Sequence, residues 1–188
     1  LSPEPADYLD VYERYGPVGP RSTFAHGIHL TQEARNRLAQ AGANIAFCPT
    51  SNMYLGSGLF DRLACREAGL NTTLASDVGG GTDLSGLGTL KAAYQVGQLL
   101  NQPLTAWQGF YRLTLGNARA LHLDRHIGSL REGTEADIVV LDPQATPLMA
   151  RRTARTTSRS ELLFALMILG DDRSVYATWA NGQCVHQR

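Results

Sequence analysis

Short β-favouring runs alternate with helical patterns over the first half of the chain. A strand is predicted over residues 22–26, and the helix after it can begin at the N-cap Thr31 and end at Gly42. A second strand over residues 44–48 is followed by a helix over about residues 60–68, whose apolar residues fall on one face. Strands that alternate with helices in this way are typical of βαβ units and of a parallel sheet.

A third unit of the same kind follows, with a strand over residues 70–76. Asp77 comes directly after this strand, and Val78 separates it from the three consecutive glycines 79–81. A helix is predicted after the glycines, over about residues 87–100. Asp77 therefore stands where a parallel strand ends.

The pattern changes toward the end of the chain. Two capping boxes, Thr105–Gln108 and Ser158–Glu161, each predict the start of a helix. A strand is predicted over residues 136–141, and two short strands flank the turn-forming pair Asn181–Gly182. These elements predict a β-rich piece that contains one long helix.

The predicted domain boundary lies near Asp124. Residues 1–124 would hold three βα units and the helices that follow them, and residues 125–188 would hold the β-rich piece. The pattern predicts the α/β class. Three units cannot close an eight-stranded barrel by themselves, since such a barrel takes about 250 residues.

Composition limits the classes of binding partner more than it limits the fold class. Hydrophobic residues make up 43% of the chain, and 17 basic residues balance 17 acidic ones, so neither a nucleic acid nor a membrane partner is expected.

The three cysteines, Cys48, Cys65 and Cys184, form no C-x-x-C pair, which favours a reducing cytoplasm. The most apolar run, residues 162–169, is far shorter than the ~20 residues of a membrane span. A first residue of leucine, Leu1, indicates a fragment or a processed chain.

Polar residues stand at the predicted strand ends. They are His26, the corner Cys48–Pro49, and Asp77. Residues at the carboxyl ends of parallel strands face the ligand in barrels and in open sheets, so His26 and Asp77 are expected to converge. A structural hydrogen bond is the alternative for His26, and an Asx turn is the alternative for Asp77. His29 completes an H-x-x-H spacing with His26, but the glycine between them argues against a metal-binding helical face.

The glycine-rich turn does not match a nucleotide-binding loop. Leu84 stands where G-x-G-x-x-G requires its third glycine, and Leu87 stands where a P-loop requires lysine. Glycines also let the backbone approach a ligand or a metal-bound group closely, because they carry no side chain. Asp77 would then be the chemical group of the turn.

Three segments carry a resemblance to a known family. In this order and spacing, "FAHGIHL" (24–30), "IAFCPTSNMYLGSGLF" (45–60) and "SDVGGGT" (76–82) resemble the last three barrel strands of the guanine deaminases, a family of the amidohydrolase superfamily. "IGSLREGTEADIVVLDP" (127–143) is similar to the segment that returns to the small β-sandwich of that superfamily. The resemblance implies the carboxy-terminal part of a (β/α)8 metal-dependent hydrolase barrel, plus part of the small β-sandwich domain.

The resemblance also implies a chemistry. In this family one Zn²⁺ lowers the pKa of a bound water, and the resulting hydroxide attacks guanine to give xanthine and ammonia, a step of purine catabolism. Asp77 matches the last zinc ligand, which also accepts the proton of the attacking water. His26 matches the histidine that orients or polarises that water. Ser76 replaces a more usual threonine and keeps the hydroxyl, and residues 50–52 are expected at the rim or in structural hydrogen bonds.

Several functional residues of the family have no counterpart in this chain. They are the H-x-H zinc pair, a further histidine ligand, the glutamate three residues beyond it, and the arginine and aromatic residue that hold the purine. Because catalytic zinc normally has three protein ligands, the chain alone is expected to be inactive and to need the missing amino-terminal portion. A homodimer is expected. The alternatives are another aminohydrolase or chlorohydrolase of the superfamily, and a non-catalytic remnant.

Overall fold

The computed structural model describes residues 7–188 and has mixed α/β architecture. Its strands are β1 (Thr23–Ala25), β2 (Asn44–Phe47), β3 (Asn71–Leu74), β4 (Ile138–Leu141), β5 (Val175–Ala180) and β6 (Gln183–Gln187). Its helices are α1 (Tyr8–Tyr15), α2 (Gln32–Gln40), α3 (Pro49–Tyr54), α4 (Arg62–Glu67), α5 (Gly86–Leu99), α6 (Ala106–Leu113), α7 (Leu115–Ala120), α8 (Pro147–Thr153) and α9 (Arg159–Leu169). A 3-10 turn, Asp172–Ser174, precedes β5. None of the described helices is long and apolar enough to cross a membrane.

The first sheet is parallel, with the strand order β1-β2-β3. Thr23 pairs with Asn44, and Asn44 pairs with Asn71, so the three strands begin level with one another. Each residue of the central strand β2 is buried. The carboxyl ends of all three strands therefore open onto one edge of the sheet, as the alternating pattern predicts.

Local signals in the sequence set several helix ends. The Thr31 hydroxyl accepts a hydrogen bond from the backbone N–H of Ala34 at the start of α2, and Gly42, with φ +72°, follows its end. At the start of α6, Thr105 and Gln108 form a reciprocal capping box, with hydrogen bonds of 3.1 and 3.3 Å. These predicted helix ends are confirmed.

Two helices differ from the pattern. Pro49 ends β2 as predicted, but it is also the first residue of α3, because proline needs no N–H partner at the first helical position. The helix predicted from Thr105 is broken at Thr114, where φ is −123° and ψ is −108°, so α6 and α7 are separate. Both differences come from single backbone positions that hydrophobic periodicity does not report.

The main core lies between the parallel sheet and the helices. Phe47 and Phe60 stack there with ring centroids 4.8 Å apart, and Leu90 of α5 and Met167 of α9 are fully buried. Helix α9 packs on α5 and α6, although it follows the predicted boundary near Asp124 in the chain. That boundary stays a prediction.

The second sheet is antiparallel, with the order β4-β5-β6. Asn181 and Gly182 join β5 to β6, and both have positive φ, +47° and +77°. This is the conformation that a two-residue type I′ hairpin turn requires. The predicted hairpin is confirmed, and its last strand is exposed along its whole length.

Candidate active site at the carboxyl edge of the parallel sheet

Three side chains of types that can bind a metal meet where the parallel strands end. They are His26 after β1, Cys48 after β2 and Asp77 after β3. One ligand atom from each lies within 4.8 Å of the others. The residues come from three separate βα units, so the sheet register brings them together.

His26 has a left-handed backbone, with φ +68°. Its backbone N–H donates to the carbonyl of Ala46 (2.9 Å), and its ring Nδ1 lies 2.8 Å from Oδ1 of Asn52. The following Gly27 also has positive φ, and a Cβ there would lie 3.0 Å from Cγ2 of Ile45. The side chain of His26 is 41% exposed, so the imidazole is accessible at the end of β1.

Asp77 also has a left-handed backbone, with φ +51°. Its carbonyl accepts a hydrogen bond from the N–H of Gly81, and its side chain is 37% exposed. Among residues 7–188, no backbone N–H donates to this carboxylate and no lysine or arginine pairs with it. The hydrogen bond of an Asx turn is thus not formed in the structure.

The glycines after Asp77 allow close backbone approaches. A Cβ on Gly80 would lie 3.2 Å from Oδ2 of Asp77 and 3.0 Å from Oγ of Ser51. A Cβ on Gly81 would lie only 2.0 Å from the carbonyl oxygen of Ser76. The turn can fold back beside the carboxylate only because these positions lack side chains.

Cys48 is the buried member of the cluster. It is only 1% exposed, and its Sγ lies 3.4 Å from the carbonyl oxygen of Ala46. Burial raises the pKa of the Cys48 thiol, which favours the neutral form. Because a metal binds the thiolate, ligation by Cys48 would first require the loss of this thiol proton.

His26 and Asp77 face the same space without a direct hydrogen bond. Nε2 of His26 lies 3.7 Å from Oδ2 of Asp77, beyond the usual hydrogen-bond range. A carboxylate and an imidazole at this separation can contact one shared water molecule or one cation. His29 is exposed and has no atom in the cluster that the described residues form.

Pattern-based prediction missed the role of the first turn of α3. Thr50, Ser51 and Asn52 are buried beneath the site and not at its rim, and Thr50 and Asn52 make the structural hydrogen bonds that the sequence analysis gave as the alternative. The Thr50 hydroxyl donates to the carbonyl of Ser76 (3.1 Å), and Asn52 contacts His26. Pro49 at the first helical position is the one local signal that could have revealed this helix.

The chain belongs to the amidohydrolase family. The family model matches residues 4–185, which is nearly the whole chain and includes the three strand ends.

Curated relatives carry a more specific name. The guanine deaminase of Escherichia coli K12 is 45% identical over 188 residues, which is all of this chain and 43% of that protein. The probable guanine deaminase of Deinococcus radiodurans is 40% identical over 191 residues, with 100% of this chain and 44% of that protein covered. The chain therefore spans less than half the length of these relatives. That it matches their carboxy-terminal portion stays a prediction.

Solved structures agree with the sequence relatives. The chain superposes on Escherichia coli guanine deaminase with a TM-score of 0.96 and 45% identity, covering 100% of this chain and 44% of the other. An adenosine deaminase from Xanthomonas campestris with bound zinc gives 0.79 at 27% identity, covering 95% and 40%. A guanine deaminase from C. acetobutylicum with guanine in its active site gives 0.83 at 26% identity, covering 97% and 43%.

Proposed function

We propose that this chain is part of a zinc-dependent guanine deaminase, which hydrolyses guanine to xanthine and ammonia in purine catabolism. The observation that carries the proposal is the placement of His26 and Asp77, whose Nε2 and Oδ2 atoms lie 3.7 Å apart at the carboxyl edge of a parallel sheet. The guanine deaminase relatives support the substrate, since their similarity extends over the whole chain.

The residues at this edge fit a zinc ion in part. Asp77 offers a partly exposed carboxylate that no described lysine or arginine neutralises, so a cation would find an available negative charge. Carboxylate and imidazole are both ligands that zinc accepts in proteins. In the proposal Asp77 holds the metal, and His26 stays beside it without being a primary ligand. When bound, zinc would lower the pKa of a water molecule, so that hydroxide would be available as a nucleophile near neutral pH.

The side chains then divide the proton chemistry. Hydrolysis forms a C–O bond at the amino-bearing carbon of guanine and breaks its C–N bond. Of the two water protons, one ends on the ring of xanthine and the other must pass from the attacking water to the leaving amine. The carboxylate of Asp77 accepts this proton and returns it to the nitrogen. His26 accepts a hydrogen bond from the water through Nε2, which directs the oxygen toward the purine.

The remaining zinc ligands and the purine-binding residues are assigned to the part of the enzyme that this chain does not span. A zinc ion held by Asp77 alone would lack the three protein ligands that catalytic zinc usually has. The proposal therefore includes an inactive isolated chain and an active whole polypeptide. It also includes the cytoplasmic location and the homodimer that the sequence analysis expects. Catalysis by the chain on its own would contradict the division of ligands.

The decisive experiment uses the whole polypeptide that contains this chain. Asp77→Asn keeps the side-chain shape but removes the charge and the proton acceptor, so guanine turnover should fall by more than the about 10²–10⁴-fold of general acid–base loss. Zinc stoichiometry should fall as well. His26→Ala should lose about 10²–10⁴-fold in turnover while retaining more zinc than Asp77→Asn.

Asp83→Asn provides the matched control. Asp83 accepts a hydrogen bond from the backbone N–H of Ser85 (2.7 Å), which asparagine can also accept. This variant should keep both its zinc and its turnover. Near-normal turnover in Asp77→Asn would instead make Asp77 a turn-forming residue and overturn the proposal.

A further inference from the structure

The buried contact between Asn52 and His26 is the starting point. Asn52 lies in the first turn of α3 and is 1% exposed, and its Oδ1 lies 2.8 Å from Nδ1 of His26. Its backbone N–H donates to the carbonyl of Cys48, and its own carbonyl accepts from Ser57, each at 2.9 Å. These two hydrogen bonds hold the backbone of Asn52. The side-chain carboxamide therefore reaches the His26 ring from a fixed backbone position.

The contact selects one tautomer of His26. The Asn52 oxygen that faces the ring is an acceptor, so this contact requires a hydrogen on Nδ1, and in the Nδ1–H tautomer Nε2 presents a lone pair. The distance from Nε2 to Asp77 agrees with this assignment. An Nε2–H group would be expected to close on the carboxylate to hydrogen-bond length, whereas the two atoms lie 3.7 Å apart. Two acceptors at this distance can both accept hydrogen bonds from one water molecule that lies to the side of the line joining them.

We propose that Asn52 is a positioning residue that fixes the orientation of the His26 ring and favours its Nδ1–H tautomer, so that Nε2 accepts a hydrogen bond from the water beside Asp77. The inference rests on the function proposed above and deepens it, because it gives His26 its orientation and protonated atom. The buried Nδ2 of Asn52 has no partner among residues 7–188. The contact with His26 is therefore the one side-chain hydrogen bond that the described structure gives this amide.

The direct test is ¹⁵N NMR of the imidazole nitrogens in the histidine-labelled whole polypeptide, with the signal of His26 assigned from its absence in His26→Ala. The wild-type protein should show a protonated Nδ1 and an unprotonated Nε2, both with zinc and after zinc removal. A protonated Nε2 in the wild type would overturn the proposal without the need for any variant.

Substitutions add a kinetic readout. Asn52→Leu removes the acceptor at similar volume, so the Nδ1–H tautomer should lose its excess and kcat for guanine should fall about 10–100-fold. KM and zinc content should stay close to wild type, since Asn52 contacts neither substrate nor metal in this assignment. Asn52→Asp keeps an acceptor oxygen and should recover the tautomer and most of kcat. An unchanged tautomer in Asn52→Leu would overturn the proposal.

Ser51→Ala is the matched control. Ser51 is as deeply buried in the same turn, and its Oγ has no hydrogen-bond partner in the described structure. It should leave the tautomer and kcat unchanged, and a loss equal to that of Asn52→Leu would indicate a general packing effect and contradict the proposal. If the wild-type polypeptide does not deaminate guanine, the proposed function fails, whereas the wild-type NMR signal still decides the tautomer that Asn52 selects.

Discussion

The β5–β6 hairpin and the candidate active site both use left-handed backbone at residues other than glycine, but for different reasons. In the hairpin, Asn181 and Gly182 adopt positive φ because a two-residue turn between twisted strands requires it. In the site, His26 and Asp77 have φ of +68° and +51° at the ends of strands that continue into loops. The hairpin conformation is thus set by neighbouring residues, whereas long-range contacts such as that of Asn52 with His26 hold the site.

The difference shows where left-handed backbone coincides with the candidate site. Left-handed backbone costs about 1–2 kcal/mol at a residue with a Cβ. In the hairpin, asparagine tolerates this conformation well. At the strand ends, the same conformation directs an imidazole and a carboxylate toward one space, so its cost is coupled to function.

The largest expected effect on stability comes from Gly81→Ala. The added Cβ would lie 2.0 Å from the carbonyl of Ser76 and 2.8 Å from Oγ1 of Thr50, so the turn must move. We expect the free energy of unfolding to fall by about 1–3 kcal/mol or more. Guanine turnover should fall about 10²-fold through displacement of Asp77. Chemical denaturation and initial rates on the whole polypeptide measure both effects.

Gly19→Ala is the control for this change. An added Cβ there meets nothing within 4 Å, and its φ is not in the left-handed region. Its effect on stability should stay within about 0.5 kcal/mol. Equal losses at both positions would show that the close approach at Gly81 has no special role.

An intermediate effect is expected from paired substitutions at the two left-handed positions. Replacing Asn181 by alanine should destabilise the protein by about 1 kcal/mol relative to replacing it by glycine, because only alanine has a Cβ. The same alanine-to-glycine difference is expected at Asp77. Both Asp77 variants should lose activity, whereas both Asn181 variants should retain it. Denaturation midpoints of the four variants test whether the alanine-to-glycine difference in stability is similar at the two positions. Their turnover tests whether only the Asp77 variants lose activity.

The smallest effect is expected at a helix cap that local sequence specifies. The N–H of Ala64 donates to Asp61 (2.9 Å), and this hydrogen bond is the main factor that lowers the pKa of the carboxyl. A lowered folded-state pKa stabilises the protein above the unfolded pKa, about 3.9, and this stabilisation is lost as pH falls through the folded value. Asp61→Asn keeps the cap and should cost less than about 1 kcal/mol at pH 7. In acid titrations of stability, the difference from wild type should shrink toward zero below pH 4; a constant difference would contradict the charge effect.

Pattern and turn chemistry predicted most of the fold because those signals are local. Thr31 caps α2, Thr105 and Gln108 cap α6, and the Asn181–Gly182 pair forms the hairpin turn, each through contacts within a few residues. The sequence also placed His26 and Asp77 at strand ends, since parallel strands share one carboxyl edge.

The support beneath the site could not be predicted in the same way. Asn52 contacts a residue 26 positions earlier in the chain, and Thr50 contacts a carbonyl 26 positions later. Neither contact leaves a periodic signal, because each depends on how α3 sits against the sheet. Cys48 was placed at a strand end, but its raised thiol pKa follows from a burial that only the folded chain creates.

Parallel pairing also sets when the site can appear during folding. Phe24 pairs with Ile45, and Ile45 pairs with Thr72, so each strand must wait for a complete crossover before it meets its neighbour. Closing such loops costs chain entropy before the contacts that repay it are made. His26 and Asp77 come from the two outer strands, and they can meet only when both crossovers are closed. A refolding chain should therefore bring His26 and Asp77 together only late, with the last of the parallel sheet.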